Sequence, residues 1–192
     1  MRLLALTLTV ACVPSIQLVA QDSTYHATHQ QVGGPQILAI YIGSTDCAPC
    51  RWPPLESAVH HAWPLLAMQA SRAKVTFSTV GIALDDNVAG GVALLQPLEQ
   101  FDEIIVGGGW TNSGAERYIW ADTAATPAIP QILIVERHVG VNDDHTRWDL
   151  SSSTVLRRLI GESEIRAWVK GGALLPVGSL KHQRFLEPAR DN

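Results

Sequence analysis

No block of lysine and arginine runs through this sequence: 14 basic side chains are scattered among 18 acidic ones, for a formal net charge of −4 over 192 residues. A nucleic acid or other polyanion therefore has no electrostatic footprint to bind, and the acidic excess is too small to name another partner. Metal-binding patterns are equally sparse. One Cys-x-x-Cys stands without a second such pair or a closely spaced His-x-x-x-His, so a zinc site lacks its four ligands. His60 and His61 read as surface residues of a helix, and "VNDDH" at 141–145 reads as a solvated turn because it lacks the twelve-residue ligand pattern of a calcium loop. The glycines of "GGGWTNSG" at 107–114 are not followed by the Gly-Lys-Ser/Thr of a phosphate loop. They read as a flexible loop whose Trp110 packs against the core or near the functional face. Repeats and low-complexity segments are absent, as is any run of about 20 apolar residues that would span a bilayer.

What is present is a chain that is 46% hydrophobic, the composition of one globular domain with extensions. It starts with Arg2, an apolar stretch from Leu3 to Val13 and then small residues, the pattern of a secretory signal peptide. Pro14, Ser15 and Gln17 interrupt the stretch well before membrane-spanning length. The expected layout is a signal peptide over 1–20, cut after Ala20 or alternatively after Ser15, then a polar linker over 21–35. A folded domain over 36–172 and a C-terminal tail over 173–192 complete it. "TVAC", ending in Cys12, resembles a degraded bacterial lipobox, but Thr9 stands where leucine is preferred and the apolar region before it is short, which argues against lipidation. Export implies a periplasmic or secreted protein, in which Cys47 and Cys50 remain to pair with each other or with another molecule. A bond closing so small a loop constrains the unfolded chain little, so stapling is a poor reason for the pair to exist.

Within the domain, "QILAIYI" at 36–42 is a short continuous apolar run, consistent with a strand buried on both faces. A helix is expected over Ala48–Arg72, burying Leu55, Val59, Trp63, Leu66 and Met68 and bending at Pro64. A β-branched strand follows at 74–84, which implies a parallel crossover. Further expectations are a helical segment at 88–101, a short strand in 102–109, a helix at 113–122 and a strand at 126–137. A polar excursion over 138–153 then precedes an antiparallel strand at 154–161 and a final helix from Glu162 that Gly171 stops.

Cysteines spaced i, i+3 at a strand-to-helix junction place the first sulfur where unpaired N–H groups and the helix dipole favour an anion. In such motifs the first thiol's pKa falls to about 3.5–7, from about 8.5 for a free cysteine. Cys47, at the exposed start, is the expected nucleophile. Cys50, one turn in, resolves the mixed disulfide. Arg51 favours the thiolate and Asp46 opposes it. About eighty residues downstream, Pro130 opens an apolar strand, a position where its missing N–H calls for a local reason.

A strand ending at Cys47-Ala-Pro-Cys50, followed much later by Ile129-Pro130 at the start of a strand, resembles the thioredoxin superfamily, here as an exported thiol-disulfide oxidoreductase. The resemblance covers Gln36 to Gly172. It implies an α/β, three-layer fold with a central mixed sheet and flanking helices. It also implies a cis Ile129-Pro130 bond beside the cysteine pair, with Ile129 offering its backbone to a substrate chain and Pro130 discouraging metal capture. Thr126-Pro127 is the nearby competitor for the proline's role. Two departures stand out: Asp46 replaces thioredoxin's tryptophan, and Tyr41 stands where thioredoxin has a buried acidic residue, which leaves Glu56 as a candidate proton acceptor.

The resemblance implies protein thiol or disulfide substrates and a redox partner that resets the pair. No cofactor beyond the two cysteines and no metal is implied. One alternative keeps the fold without turnover, as a binding or assembly protein of a bacterial envelope or conjugation system. Another is metal delivery through Cys47, Cys50 and His138.

Overall fold

The computed structural model describes residues 33–98, 101–123, 126–141 and 148–176, all within the second of two compact units, which begins at Val32. The expected signal peptide, nearly all of the linker, Cys12, residues 142–145 of the candidate calcium turn and the tail beyond 176 lie outside the described residues.

Strand β1 (Gly34–Gly43) is the central strand of the sheet. From Ile37 to Ile42 every side chain is at most 1% exposed. Alternation sends Ile37, Ala39 and Tyr41 to one face and Leu38, Ile40 and Ile42 to the other, and each set joins a separate hydrophobic cluster. Burying such a side chain stabilises the fold by about 1.5–3 kcal/mol, which is why an uninterrupted apolar run can occupy only a two-sided position. Strand β2 (Thr76–Ala83) pairs parallel with β1, and β3 (Glu103–Ile105) pairs parallel with β2. The short β3 edge is pinned by Asp102, whose Oδ2 accepts from Thr79 N at 2.8 Å. On the other side of β1, β4 (Gln131–Val141) runs antiparallel to it and β5 (Trp148–Ile160) antiparallel to β4, giving the order β3-β2-β1-β4-β5.

Helix α1 (Pro53–Arg72) covers the first face with Leu55, Val59, Ala62, Trp63, Leu66 and Ala70, and α2 (Val88–Leu95) adds Leu94 and Leu95. Helix α4 (Glu162–Lys170) adds Ile165 and Trp168 to the same cluster. The second face is covered by α3 (Ser113–Ala115) and the π turn that continues it over Glu116–Trp120, through Ala115, Tyr118 and Ile119. Two covered faces around a mixed sheet make three layers. No helix among the described residues is long and apolar enough to cross a membrane.

Several expectations are corrected. The helix expected over Ala48–Arg72 is divided into a 3₁₀ turn over Ala48–Arg51 and α1. Pro53 and Pro54 cause the break: a residue before proline avoids the helical region, and Trp52 is extended at φ −83° and ψ 124°. Helix α1 runs on through Pro64. Met68 is 43% exposed instead of buried, because two positions beyond Leu66 is more than half a turn around a helix with 3.6 residues per turn. The excursion expected over 138–153 is largely strand, since the β4–β5 ladder runs on to Val141 and Trp148. Order also extends past Gly172. Gln69 of α1 donates from Nε2 to the carbonyl of Ala173 at 3.1 Å and accepts at Oε1 from Leu175 N at 3.0 Å, seating both residues in the core.

Candidate redox site

Because β1, β2 and β3 are parallel, their carboxyl ends share one end of the sheet, and the antiparallel β4 begins at that same end. The loop after β1, the loops after β2 and β3, and the 126–130 turn are therefore brought together by topology. The register pairs Ile42 with Gln131, so Pro130 lies just beyond the end of β1, where the cysteine loop departs.

That loop is closely tied down. Cys47 N donates to Ser44 O at 3.2 Å and Asp46 N to Ser44 Oγ at 3.2 Å. Thr45 donates to the Asp85 carboxylate through its backbone N, at 3.1 Å to Oδ1, and through its hydroxyl. Asp85 is itself buried, and its carbonyl accepts from Gly109 N at 3.1 Å, linking the loops after all three parallel strands. Gly109 has φ +57°, and a Cβ there would stand 2.5 Å from Asp86 Oδ1, so the glycine run at 107–109 serves a close approach to these aspartates. In the same loop Trp110 is 37% exposed and faces Trp120 at a centroid distance of 6.0 Å.

Cys47 and Cys50 form a disulfide with an S–S distance of 2.11 Å. Cys47 is half-buried and Cys50 is 2% exposed. Cys47 caps a single 3₁₀ turn instead of a long helix, so the expected whole-helix dipole reduces to a local donor: Cys50 N–H points at Cys47 Sγ over 3.2 Å. An N–H aimed at sulfur favours the thiolate form over the thiol. Asp46 is exposed beside it.

Ile129, half-buried, packs against both hydrophobic clusters, the first of which contains Cys50. The Ile129–Pro130 peptide bond is cis, and Pro130 O accepts from Gly161 N at 2.8 Å. The fold is thioredoxin-like. The strand order β3-β2-β1-β4-β5, the mixed register and the cysteine and proline turns at one end of the sheet carry that fold.

No family profile and no curated protein matches the chain. Among solved structures it is similar to a thioredoxin-family thiol:disulfide interchange protein from Chlorobium tepidum TLS. Sequence identity is 10%, with 72% of this chain and 81% of that one covered and a TM-score of 0.33.

In this thioredoxin-like frame the polar candidates separate. Tyr41 lies fully buried beneath the cysteine turn, its hydroxyl donating to Cys50 O at 3.3 Å, and Gly43 leaves room for it, since a Cβ there would stand 2.7 Å from the phenol oxygen. Burial pushes the phenol's pKa well above its ordinary 10.0, so the neutral form belongs to the folded state. Tyr41 thus contributes stability that is present below pH 10 and lost as pH rises beyond it, because the unfolded chain releases the proton first. Tyr41→Phe is expected to cost about 1 kcal/mol at neutral pH through the lost hydrogen bond and to flatten the alkaline loss. Urea titrations at pH 7 and in the alkaline range check both, and an unchanged alkaline slope would remove Tyr41 as its source.

Glu56 lines a cavity of about 320 Å³ with Cys50, Thr45, Arg51 and residues of the α2 end, and its Oε1 lies 3.8 Å from His60 Nε2. His60 also meets Pro97 O at 3.0 Å, and His61 meets Ser57 O at 2.7 Å. Both imidazoles are exposed on α1. His138 is not brought to the cysteines: it pairs across from Pro35, seven residues along the strand from Ile42, or about 23 Å at 3.3 Å per residue. The three ligands needed for the metal-delivery alternative do not converge. Asp85 was missed by sequence reasoning. Its signal was an acidic residue just past the carboxyl end of a strand parallel to β1, the edge where open α/β sheets gather functional groups.

Proposed function

We propose that this chain is an exported thiol-disulfide oxidoreductase acting on protein thiols or disulfides. The observation that carries the reading is the asymmetry of the bonded pair: Cys47 partly exposed with an N–H donor on its sulfur, Cys50 buried one turn behind it. In the reducing direction, Cys47 thiolate attacks a client disulfide, forming one mixed disulfide and releasing one client thiolate. Cys50 thiolate then attacks Cys47 Sγ, which releases the second client sulfur and leaves the pair oxidised by two electrons. The oxidising direction is the reverse. A dithiol or disulfide partner in the same compartment resets the pair, and the Ile129 backbone holds the client strand. The apolar start after Arg2 supports export to a periplasmic or secreted location.

The expected result is catalysis of insulin reduction with dithiothreitol as electron source. Against glutathione, a single two-electron couple should lie between about −270 and −120 mV. Two free thiols persisting under mild oxidant, with no turnover, would instead favour the binding or assembly role.

A further inference from the structure

Behind the 126–130 turn lies a buried polar network centred on Gln131, which is 0% exposed at the start of β4. Its Nε2 donates to the carbonyls of Ala128 and, at 3.3 Å, Thr126. Its Oε1 accepts from Arg158 Nη1 at 2.6 Å. The second arm of the same guanidinium donates to Tyr118 O at 2.9 Å and Asp122 Oδ2 at 3.1 Å. The Tyr118 carbonyl belongs to the final turn of its helical segment, where carbonyls lack intrahelical partners, so Arg158 supplies what the helix end cannot.

The consequence lies in the orientation of the Gln131 amide. A side-chain amide has one accepting and one donating end, and a cation at one end forces the donating end toward the turn. Both turn carbonyls it holds lie on the approach to Ile129, the nearer one on the residue directly before it. The Arg158 side chain, 12% exposed, makes no hydrogen bond to either cysteine among the described residues.

We propose that Arg158 is a positioning residue for client capture: by locking the Gln131 amide it fixes the 126–130 turn in the form that presents the Ile129 backbone to an incoming polypeptide strand. This rests on the oxidoreductase reading above. Reduction of the Cys47–Cys50 bond by a small dithiol needs no strand pairing and is independent of Arg158. A polypeptide disulfide needs the turn and is not.

The test compares the wild-type chain with Arg158→Met and Arg158→Lys. Lysine keeps the charge opposite Asp122, but its ammonium lacks the planar fork that serves Gln131, Tyr118 and Asp122 together, and it guards against misfolding of the methionine variant. The KM for insulin is expected to rise about tenfold in Arg158→Met, equivalent to ~1.4 kcal/mol, and by less in Arg158→Lys, with kcat, the glutathione potential and the rate of reduction by dithiothreitol within about twofold of wild type. Amide hydrogen exchange at Ala128, Ile129 and Gln131 is expected to quicken in both variants while that of Cys50 stays unchanged. Wild-type KM in both variants, or a fall in kcat alone, overturns the proposal. Failure of the wild-type chain to reduce insulin sinks the oxidoreductase reading itself. In that case unchanged exchange at the turn also removes the brace, whereas quickened exchange confines Arg158 to a structural role.

Discussion

Alanine at Cys47 is expected to lower insulin reduction to the uncatalysed rate, while alanine at Cys50 accumulates covalent complexes with clients. The two sulfurs differ in access, and exchange requires an attacking thiolate that reaches the client. Cys47 is partly exposed, whereas Cys50 is 2% exposed under the turn that Tyr41 supports. Without Cys50 the first exchange still occurs and nothing resolves its product. Without Cys47 the buried sulfur has no path to a folded client. Non-reducing gels of both variants, expressed in an oxidising compartment, should show trapped species in Cys50→Ala that dithiothreitol releases, and none in Cys47→Ala. Equal trapping by both variants, or by neither, would contradict the asymmetry and leave the assembly role as the better account.

The second large effect concerns the helix behind the site. Leu55 sits in the first turn of α1, 0% exposed, in the cluster that includes Cys50, Val59 and Trp63. Truncation to alanine is expected to destabilise the chain by about 2–5 kcal/mol, the sum of lost transfer energy and the cavity left behind. Against the usual 5–15 kcal/mol of a domain, this is a substantial fraction. Urea denaturation of the oxidised chain should show a lower midpoint with an unchanged slope. Leu174→Ala, at a position 63% exposed, should stay within about 0.5 kcal/mol. If the two losses were similar, the assignment of Leu55 to the core would be wrong.

Much of this fold was legible wherever a periodic pattern and a local rule agreed. The run from Ile37 to Ile42 had to be buried on both sides, and Gly171 had to stop the last helix. The resemblance carried by Cys-Ala-Pro-Cys and the distant Ile-Pro implied a proline turn beside the cysteine pair. The failures have identifiable causes. Trp52-Pro53-Pro54 overrode the helical pattern across 48–72 because a proline constrains its predecessor, a one-residue effect that an apolar periodicity does not register. The β4–β5 ladder ran through polar residues because interstrand hydrogen bonds need no apolar side chains. Asp85 and the Arg158–Gln131 pair escaped because their partners lie 40 and 27 residues away, and only the closed sheet brings them together.

The ladder between β1 and β4 has a further consequence, for the order in which the chain assembles. It pairs Gly34 with Val139 and Ile42 with Gln131, residues 105 and 89 positions apart, whereas β1–α1–β2 and the β4–β5 hairpin close over far shorter segments. Long closures are entropically costly and tend to set the pace of folding. The two thiols belong to the early half of the chain and the turn beside them to the late half. A partly folded chain therefore carries the two thiols before the Ile129–Pro130 turn has been brought beside them, and on the proposed reading it would lack selectivity for a polypeptide until the central ladder closes.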